Sequence, residues 1–446
     1  MAYSESVSGN LTLNGFLKSI KKSISPYIEV RAIVHGTKYA VYAVSGDTVW
    51  RIGASVSQES DWENHILDKT CLGNLATNTG PAYMATGGAY LCIVDGYKGY
   101  AWNYNTEVWS EINFPDCFSP TSVTFQDGYF IVSKKDSQRF YISNSYDPTI
   151  WDPLDYASKE GEADHIFRVY SHQRNLFLFG DNTYEVWFNS GNAAFPFQRY
   201  DGGFFRTGCI APRSVAPSDE RLFWLDDDMR IRVAIGVQNE VISTVQIDYQ
   251  ISQLSDWENA VGFCYTHDGH AFYQISIADK TLVYDVSTGF WHTRAVGTGN
   301  TRHPAQCYAW AFDKHIVGDY RTGKLLYLDP TVYTYDGEMM RKIRVAQYVH
   351  SERKRVFNNG LEIEFESAVG NSGCADPQAI LEFSDNAGNT WSNPYSTDIG
   401  ESGQYQTRAK WRRLGSSRSR LYRVTIEDPV KTVIIGAHLD GSPGNS

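Results

Sequence analysis

The 446-residue chain has no run of about 18 apolar residues, so no membrane-spanning helix is expected. It opens with MAYSESVSGNLTLNG, which lacks the basic start and apolar core of a secretory leader, so none is expected. No CxxC pair occurs. The seven cysteines (Cys71, Cys92, Cys117, Cys209, Cys264, Cys307 and Cys374) are odd in number and widely spaced. That argues against a disulfide framework or a zinc site and for reduced, mostly buried thiols. Methionine is scarce, at 5, and long runs of helix formers are few. HExxH, GxSxG, P-loop and GxGxxG motifs in a strand–helix setting are all missing. The histidines are scattered, and His267 and His270 merely flank a turn at Asp268-Gly269. The sequence therefore predicts no metal, cofactor or catalytic residue, and no enzyme.

Aromatic residues and glycine are abundant. Aromatics make up 14% of the chain, with 29 Tyr, 22 Phe and 12 Trp beside 37 Gly. Aromatic side chains suit a pleated surface, so the expected class is all-β. A hydrophobic share of 42% is enough to bury a sizeable core. The formal charge is −11, from 51 acidic and 40 basic residues. That excess disfavours tight non-specific duplex binding but leaves open a surface past which DNA slides.

A weak repeat runs through the first three-quarters of the chain. Short apolar runs occupy 37–44, 88–95, 127–133, 174–180, 220–226, 269–276 and 314–320. Their markers Tyr39, Tyr90, Tyr129, Leu176, Leu222, Phe272 and His315 are 39 to 51 residues apart, the length of a four-stranded propeller blade. The runs fit buried inner strands. WNYNTEVW (Trp102–Trp109) aligns without gaps on YDVSTGFW (Tyr284–Trp291), and both read as strand, polar turn, strand. Trp109 and Trp291 are expected to pack between blades. Asn144–Trp151 is a looser copy, with its turn at Asp147-Pro148.

The pattern changes near Asp336-Gly337. Leu361-Glu362-Ile363-Glu364-Phe365-Glu366 alternates as a strand with one wet face does. Further strands are expected at 379–383, 405–411, 421–426 and 432–438. The division is a segment or arm over 1–35, a six- or seven-bladed β-propeller over 36–336, a small antiparallel β-sandwich domain over 337–440 and a flexible tail over 441–446. Ser384–Trp391 (SDNAGNTW) reads as a hairpin turn, with Asn386 and Gly388 supplying tight dihedrals and Trp391 packing beneath. The run Asp226, Asp227, Asp228 reads as a solvated turn rather than paired acids. Arg408, Lys410, Arg412, Arg413, Arg418, Arg420 and Arg423 form the densest cationic cluster. Two hairpin strands, 405–413 and 418–426, would set them on one exposed face, as a docking surface for an acidic neighbour, with nucleic acid second, or as edge protection. A second basic set, Arg341, Lys342, Arg344, Arg353, Lys354 and Arg355, lies where the domains join.

Several segments resemble the packaged-DNA stabilisation, or tail hub and nozzle, proteins of short-tailed bacteriophages. They are Asp181–Gly191 (DNTYEVWFNSG, containing Trp187), Phe195–Phe197, Arg206–Val215 (RTGCIAPRSV), Leu222–Leu225, Glu382–Trp391 and Arg420–Val430 (RLYRVTIEDPV). The likeness is distributed over roughly residues 30–440. It implies a propeller followed by a C-terminal β-domain, in a structural virion protein assembled in the host cytoplasm. It further implies a homo-oligomeric ring, usually of six copies, that retains packaged DNA and conducts it at ejection. The implied partners are portal–adaptor proteins and tail needle, spike or fibre proteins, with double-stranded DNA passing through unbound. The rival reading is a tail-borne propeller that binds or degrades glycans.

Overall fold

The computed structural model describes residues 17–25, 30–37, 40–53, 68–297, 299, 301–352, 354–366, 370, 373–404 and 407–444. Its larger unit is a β-propeller of seven sheets. Blade one is Val30–Thr37, Ala40–Ser45, Thr48–Gly53 and Asp68–Asn74; blade two is Tyr83–Gly87, Tyr90–Val94, Gly99–Asn103 and Val108–Ile112. Blade three is Pro120–Gln126, Tyr129–Lys134, Arg139–Asn144 and Asp147–Ser158; blade four is Arg168–His172, Asn175–Phe179, Tyr184–Asn189 and Phe197–Phe205. Blade five is Ala216–Ser218, Arg221–Leu225, Ile231–Ile235 and Gln238–Val241. Blade six runs Val261–His267, His270–Ile277, Lys280–Asp285 and Phe290–Val296. Blade seven takes Ala305–Ala311, Lys314–Asp319 and Gly323–Leu328.

The seven apolar runs of the sequence are the second strands of these blades. Each lies between two strands of its own sheet and between two neighbouring sheets. Leu222, Phe223, Trp224 and Leu225 are accordingly all buried. The innermost strands are the ones that precede them. In blades three and six a tight turn of Asp-Gly at positive φ joins the first two strands, at Asp127-Gly128 (48° and 93°) and Asp268-Gly269 (49° and 79°).

Burial between blades holds the ring together. Tyr42, Val44 and Val49 of blade one pack with Leu91, Ile93 and Tyr100 of blade two. Comparable clusters join blades two to three, three to four, four to five and five to six. Between blades six and seven, Phe263 stacks on Tyr308 at 5.7 Å. The seventh junction closes the circle, where Val30, Val41 and Ala43 meet Ala309, Ile316 and Leu325.

Residues 1–35 are set aside as an arm by the sequence, but the structure builds two propeller strands from that range. Val30–Thr37 is the innermost strand of blade one. Leu17–Ser25 lies beside Gly323–Leu328 as the fourth strand of blade seven. Both lack the long apolar run that marks a second strand. Arg31, 2% exposed, shows how blade one is anchored. It donates to the carbonyls of Gly46, Thr77, Thr79 and Gly80 at 2.7–2.9 Å and so fixes the connection to blade two.

Residues 329–446 belong to a second compact unit. One sheet orders Lys342–Val345, Ser419–Ile426, Gln378–Ser384 and Tyr395–Asp398. The other sets Ala409–Arg412 and Ile434–Pro443 against Val356–Phe365. Leu361, Ile363 and Phe365 point inward against Leu381, Tyr422 and Val424, which makes a β-sandwich core. The strand Ile434–Pro443 includes residues 441–443, which the sequence assigns to a flexible tail. The cysteines are free thiols; Cys92, Cys209 and Cys264 are buried, whereas Cys71 and Cys117 are exposed.

Ring closure leaves no room for a side chain at Gly318. A Cβ there would stand 2.6 Å from the Val30 side chain and 2.7 Å from Cys307 Sγ. Gly318→Ala is expected to destabilise the propeller by about 1–3 kcal/mol through overpacking. A lower urea midpoint with an unchanged slope would register it.

Candidate functional site

Three of the segments that carry the phage-protein resemblance, Asp181–Gly191, Arg206–Val215 and Leu222–Leu225, meet at the junction of blades four and five, while Glu382–Trp391 and Arg420–Val430 lie in the sandwich. Asp164 sits before blade four, 6% exposed. Its Oδ2 accepts from Lys159 Nζ at 2.7 Å, from the Thr183 amide at 3.0 Å and from Thr183 Oγ1 at 2.8 Å; its Oδ1 accepts from the Asp181 amide at 2.9 Å. Burial alone would raise this carboxyl's pKa, but the bonds from Lys159 and Thr183 overcome that and hold it below the usual range. Glu185, fully buried, accepts from the Gly161 amide at 2.7 Å, from Trp187 Nε1 at 2.9 Å and from Arg199 Nη1 at 3.2 Å. Gly208 lies against the Asp181 carbonyl so closely that a Cβ would stand 1.6 Å from its oxygen. The Gly208 carbonyl accepts from Trp224 Nε1 at 3.2 Å, and Trp224 meets the Tyr184 ring edge-on at 5.4 Å. The motif residues thus form a buried brace between two blades.

The acidic run expected as a solvated turn is partly interior. Asp226 is fully buried and bonded to Arg232 Nε at 2.6 Å, and burial raises its pKa. Asp227 accepts from the Gly208 amide at 2.9 Å, and Asp228 alone of the three is exposed. A turn held by a buried carboxylate is not a solvated one. These acids are tied to backbone and arginine and do not face one another across a cleft. Among the described residues no group of three or more His, Cys, Asp or Glu is placed to hold a metal ion.

The tryptophans of the repeat reach back to the preceding blade. Trp109 covers Gly73 of blade one, where a Cβ would stand 2.5 Å from its ring. Trp187 packs edge-on against Phe140 of blade three at 5.3 Å. Trp291 Nε1 donates to the Ile242 carbonyl, just after blade five, at 3.2 Å. The aligned turns share their main bonds, including that from the Glu107 amide to the Asn103 carbonyl and from the Gly289 amide to the Asp285 carbonyl. Asn103 Oδ1 accepts from the Asn105 amide as Asp285 Oδ1 accepts from that of Ser287, both at 2.9 Å. Glu107 and Gly289 share positive φ, 54° and 73°.

The basic cluster does not form one exposed face. The strands Ala409–Arg412 and Ser419–Ile426 belong to different sheets, because Ala409–Arg412 pairs with Gly360–Ile363 while Ser419–Ile426 pairs with Gln378–Ser384 and Lys342–Val345. Arg408 and Lys410 bridge Glu362 at 2.9 and 3.2 Å and lower its pKa. Arg423 bridges Glu382 at 2.7 Å and lies 4.0 Å above the Trp391 ring. Arg420, 2% exposed, forks onto Asp385 at 2.6 and 2.8 Å and donates to the Leu414 carbonyl. Arg412, Arg413 and Arg418 are exposed. In the second set, Arg341 bridges Glu427 at 3.0 Å, Lys354 lies 3.6 Å from Glu352, and Arg355 donates to Ser416 Oγ at 3.1 Å. Arg353 lies outside the described residues, as do Tyr39 and residues 445–446. Lys342 is buried and donates to the Asp428 and Val430 carbonyls at 2.9 Å. At the Asn386 turn, Oδ1 accepts from the Thr390 amide and Ser384 Oγ from that of Gly388, both at 2.9 Å.

Sequence reasoning missed Lys159, Asp164 and Arg31. Lys159 and Asp164 stand in a polar connection and Arg31 in an inner strand without a clear alternation, so nothing in the spacing marks them as interior.

The described residues make a seven-bladed β-propeller and a β-sandwich, and the deepest carboxylates of the propeller are committed to structural ties. The chain belongs to the bacteriophage P22 Gp10 family, whose β-propeller model matches residues 16–333 and whose β-sandwich model matches residues 342–442. It is therefore a phage structural tail protein and a virion component. No curated protein matches it. Similar solved structures include the WD40 β-propeller domain of Doa1, at 12% identity over 70% of this chain and 97% of that one, with a TM-score of 0.42. They also include the computationally designed Ika8 protein, at 11% identity over 71% and 100% with a TM-score of 0.41, and a chain of the Mitotic Checkpoint Complex, at 9% over 73% and 97% with a TM-score of 0.41.

Arg420→Met is expected to destabilise the sandwich by roughly 1.5–3 kcal/mol, since it removes charge-assisted bonds from a buried site. Arg412→Ala is expected to stay within about 0.5 kcal/mol. Denaturant unfolding of both variants checks the contrast.

Burial pushes the Lys342 pKa down from 10.5 to about 8. Between those values the unfolded chain binds a proton that the folded chain does not, so stability rises with pH across that window. Below pH 8 both states are charged and the penalty is full. Relative to Lys342→Met, the wild type is expected to gain on the order of 3 kcal/mol between pH 8 and 10.5. Paired unfolding curves at the two pH values measure it.

Proposed function

We propose that the chain forms a homo-oligomeric ring in the phage tail, of six copies, below the portal and its adaptor. There it retains packaged DNA and conducts it at ejection. The observation that carries this reading is the family match over both the propeller and the sandwich. The propeller supports it physically, because burial at every blade junction gives a rigid body suited to forming a wall. The net charge of −11 also supports it, since an acidic surface repels a passing duplex. The chain acts through shape and interface burial, not bond chemistry.

The exposed cations Arg412, Arg413 and Arg418, with Lys354 and Arg355, are proposed to meet acidic surfaces of neighbouring subunits or of portal–adaptor, needle, spike or fibre proteins. Assembly takes place in the host cytoplasm.

Native mass determination of the purified chain, alone and mixed with portal–adaptor rings, tests the proposal. A closed multiple of the 50.3 kDa chain bound to those rings is expected. A monomer in both samples would overturn it. Particles assembled without the chain are expected to package DNA and then lose it, measured as nuclease-accessible genome.

A further inference from the structure

A cavity of about 380 Å³ opens between the innermost strands of blades five, six and seven. It lies at the end of the propeller where first strands turn into second strands. Trp310, Tyr308, Tyr265, His315, Ser218 and Asp219 line it. Trp310 is 49% exposed, a large apolar area to leave in water. Its ring meets His315 edge-on at 4.5 Å, and the Tyr308 hydroxyl and His315 Nδ1 share a hydrogen bond at 2.9 Å. The aromatic wall is therefore fixed before any ligand arrives.

The charge of the site narrows the ligand. Among the lining residues Asp219 is the one carboxylate, and none is a lysine or an arginine. Burial and the neighbouring His267 push the His315 pKa down to about 4, so its imidazole is neutral near pH 7. A phosphate or other anion finds no cation among the lining residues, since the Arg294 guanidinium stands behind the Tyr265 ring and is 7% exposed. An ammonium ligand is disfavoured too, because the Arg294 guanidinium already lies 5.4 Å from the Tyr265 ring. Cys264, at the cavity's edge, points its thiol at the Ala216 carbonyl, and burial raises its pKa. It does not act as a nucleophile.

What remains is an aromatic platform with hydroxyl groups and one acceptor carboxylate, in a volume within the usual small-ligand range of about 300–1,000 Å³. We infer that this cavity binds a neutral saccharide, with the apolar face of a sugar ring on Trp310 and its hydroxyls donating to Asp219. The site binds without cleaving, since no second carboxylate lines it. This inference does not depend on the ring assembly.

The purified full-length chain is titrated with glucose, galactose, rhamnose and N-acetylglucosamine, read by calorimetry and tryptophan fluorescence. At least one sugar is expected to bind with a Kd below about 10 mM. Trp310→Ala and Asp219→Asn should each weaken that binding by about tenfold or more. Tyr249→Ala, an exposed aromatic on the distant helix Val245–Ser252, should leave it unchanged. Asp219 is exposed, so Asp219→Asn still decides the matter if Trp310→Ala does not fold. Three outcomes would each overturn the inference: no binding by any of the four sugars, binding that survives both substitutions, or choline binding tighter than every sugar.

Discussion

Each propeller sheet has two apolar faces, and a flanking sheet is what covers each of them. That constraint organises the larger unit. A lone four-stranded sheet would leave Ile131, Val132 and Phe140 in water; within the ring all three are fully buried. Burial makes each blade depend on its neighbours, so the arrangement is complete only when the first and last blades meet. Val30 and Cys307 make that meeting across 277 residues of chain, through the Cys307 thiol and the Val30 carbonyl at 3.5 Å. The strand Leu17–Ser25 adds hydrogen bonding to the same closure by taking the outer place in blade seven. Contacts so distant in sequence are slow to form, and the ring's cooperativity rests on them.

Buried polar groups follow from the same geometry. A chain that leaves the outer strand of one blade must cross to the inner strand of the next, and the crossing has no ladder partner. Its amides and carbonyls still need acceptors and donors. Arg31 serves the crossing from blade one to blade two, and Asp164 and Glu185 serve the crossings around blade four. Each is a charged group with several bonding atoms, which suits a loop that presents several unpaired groups at once. Such a group is tolerated inside because it is paired. Lys159 and Asp164 are 0% and 3% exposed in their side chains and 2.7 Å apart, so neither charge stands alone.

The parts of the fold that could be read from the sequence are those with a single physical cause. A second strand is buried on both faces and spells a continuous apolar run, so seven such runs give seven blades. The alternation Leu361-Glu362-Ile363-Glu364-Phe365 was equally plain, because one face of that strand is core and the other water. Innermost strands carry mixed messages. Arg168–His172 holds an arginine and a histidine beside buried Val169, and its pattern resembles a loop's. The strand Leu17–Ser25 is set in place by its partner, and partners lie outside local sequence. The pocket had the same weakness, for Ser218, Tyr265, Trp310 and His315 come from three blades and share no motif.

The basic cluster shows the limit most clearly. Seven cations in sixteen residues look like a surface, and two nearby strands look like a hairpin. In the sandwich those strands face each other across the core, in opposite sheets, because Trp411 and Tyr422 must both point inward. Once the strands separate, their charges meet different partners. Glu362, Glu382 and Asp385 take up Arg408, Lys410, Arg423 and Arg420. A cation already held by a carboxylate has little attraction left for a second one, and breaking the first pair would cost what the new pair gains. Docking strength in this region therefore depends less on how many basic residues the sequence holds than on the few that stay exposed. Arg412 and Arg413 are exposed where the chain interrupts its pairing with Val356–Phe365, before Ser416–Ser417 resumes it, and Gly415 bends there with a φ of 76°.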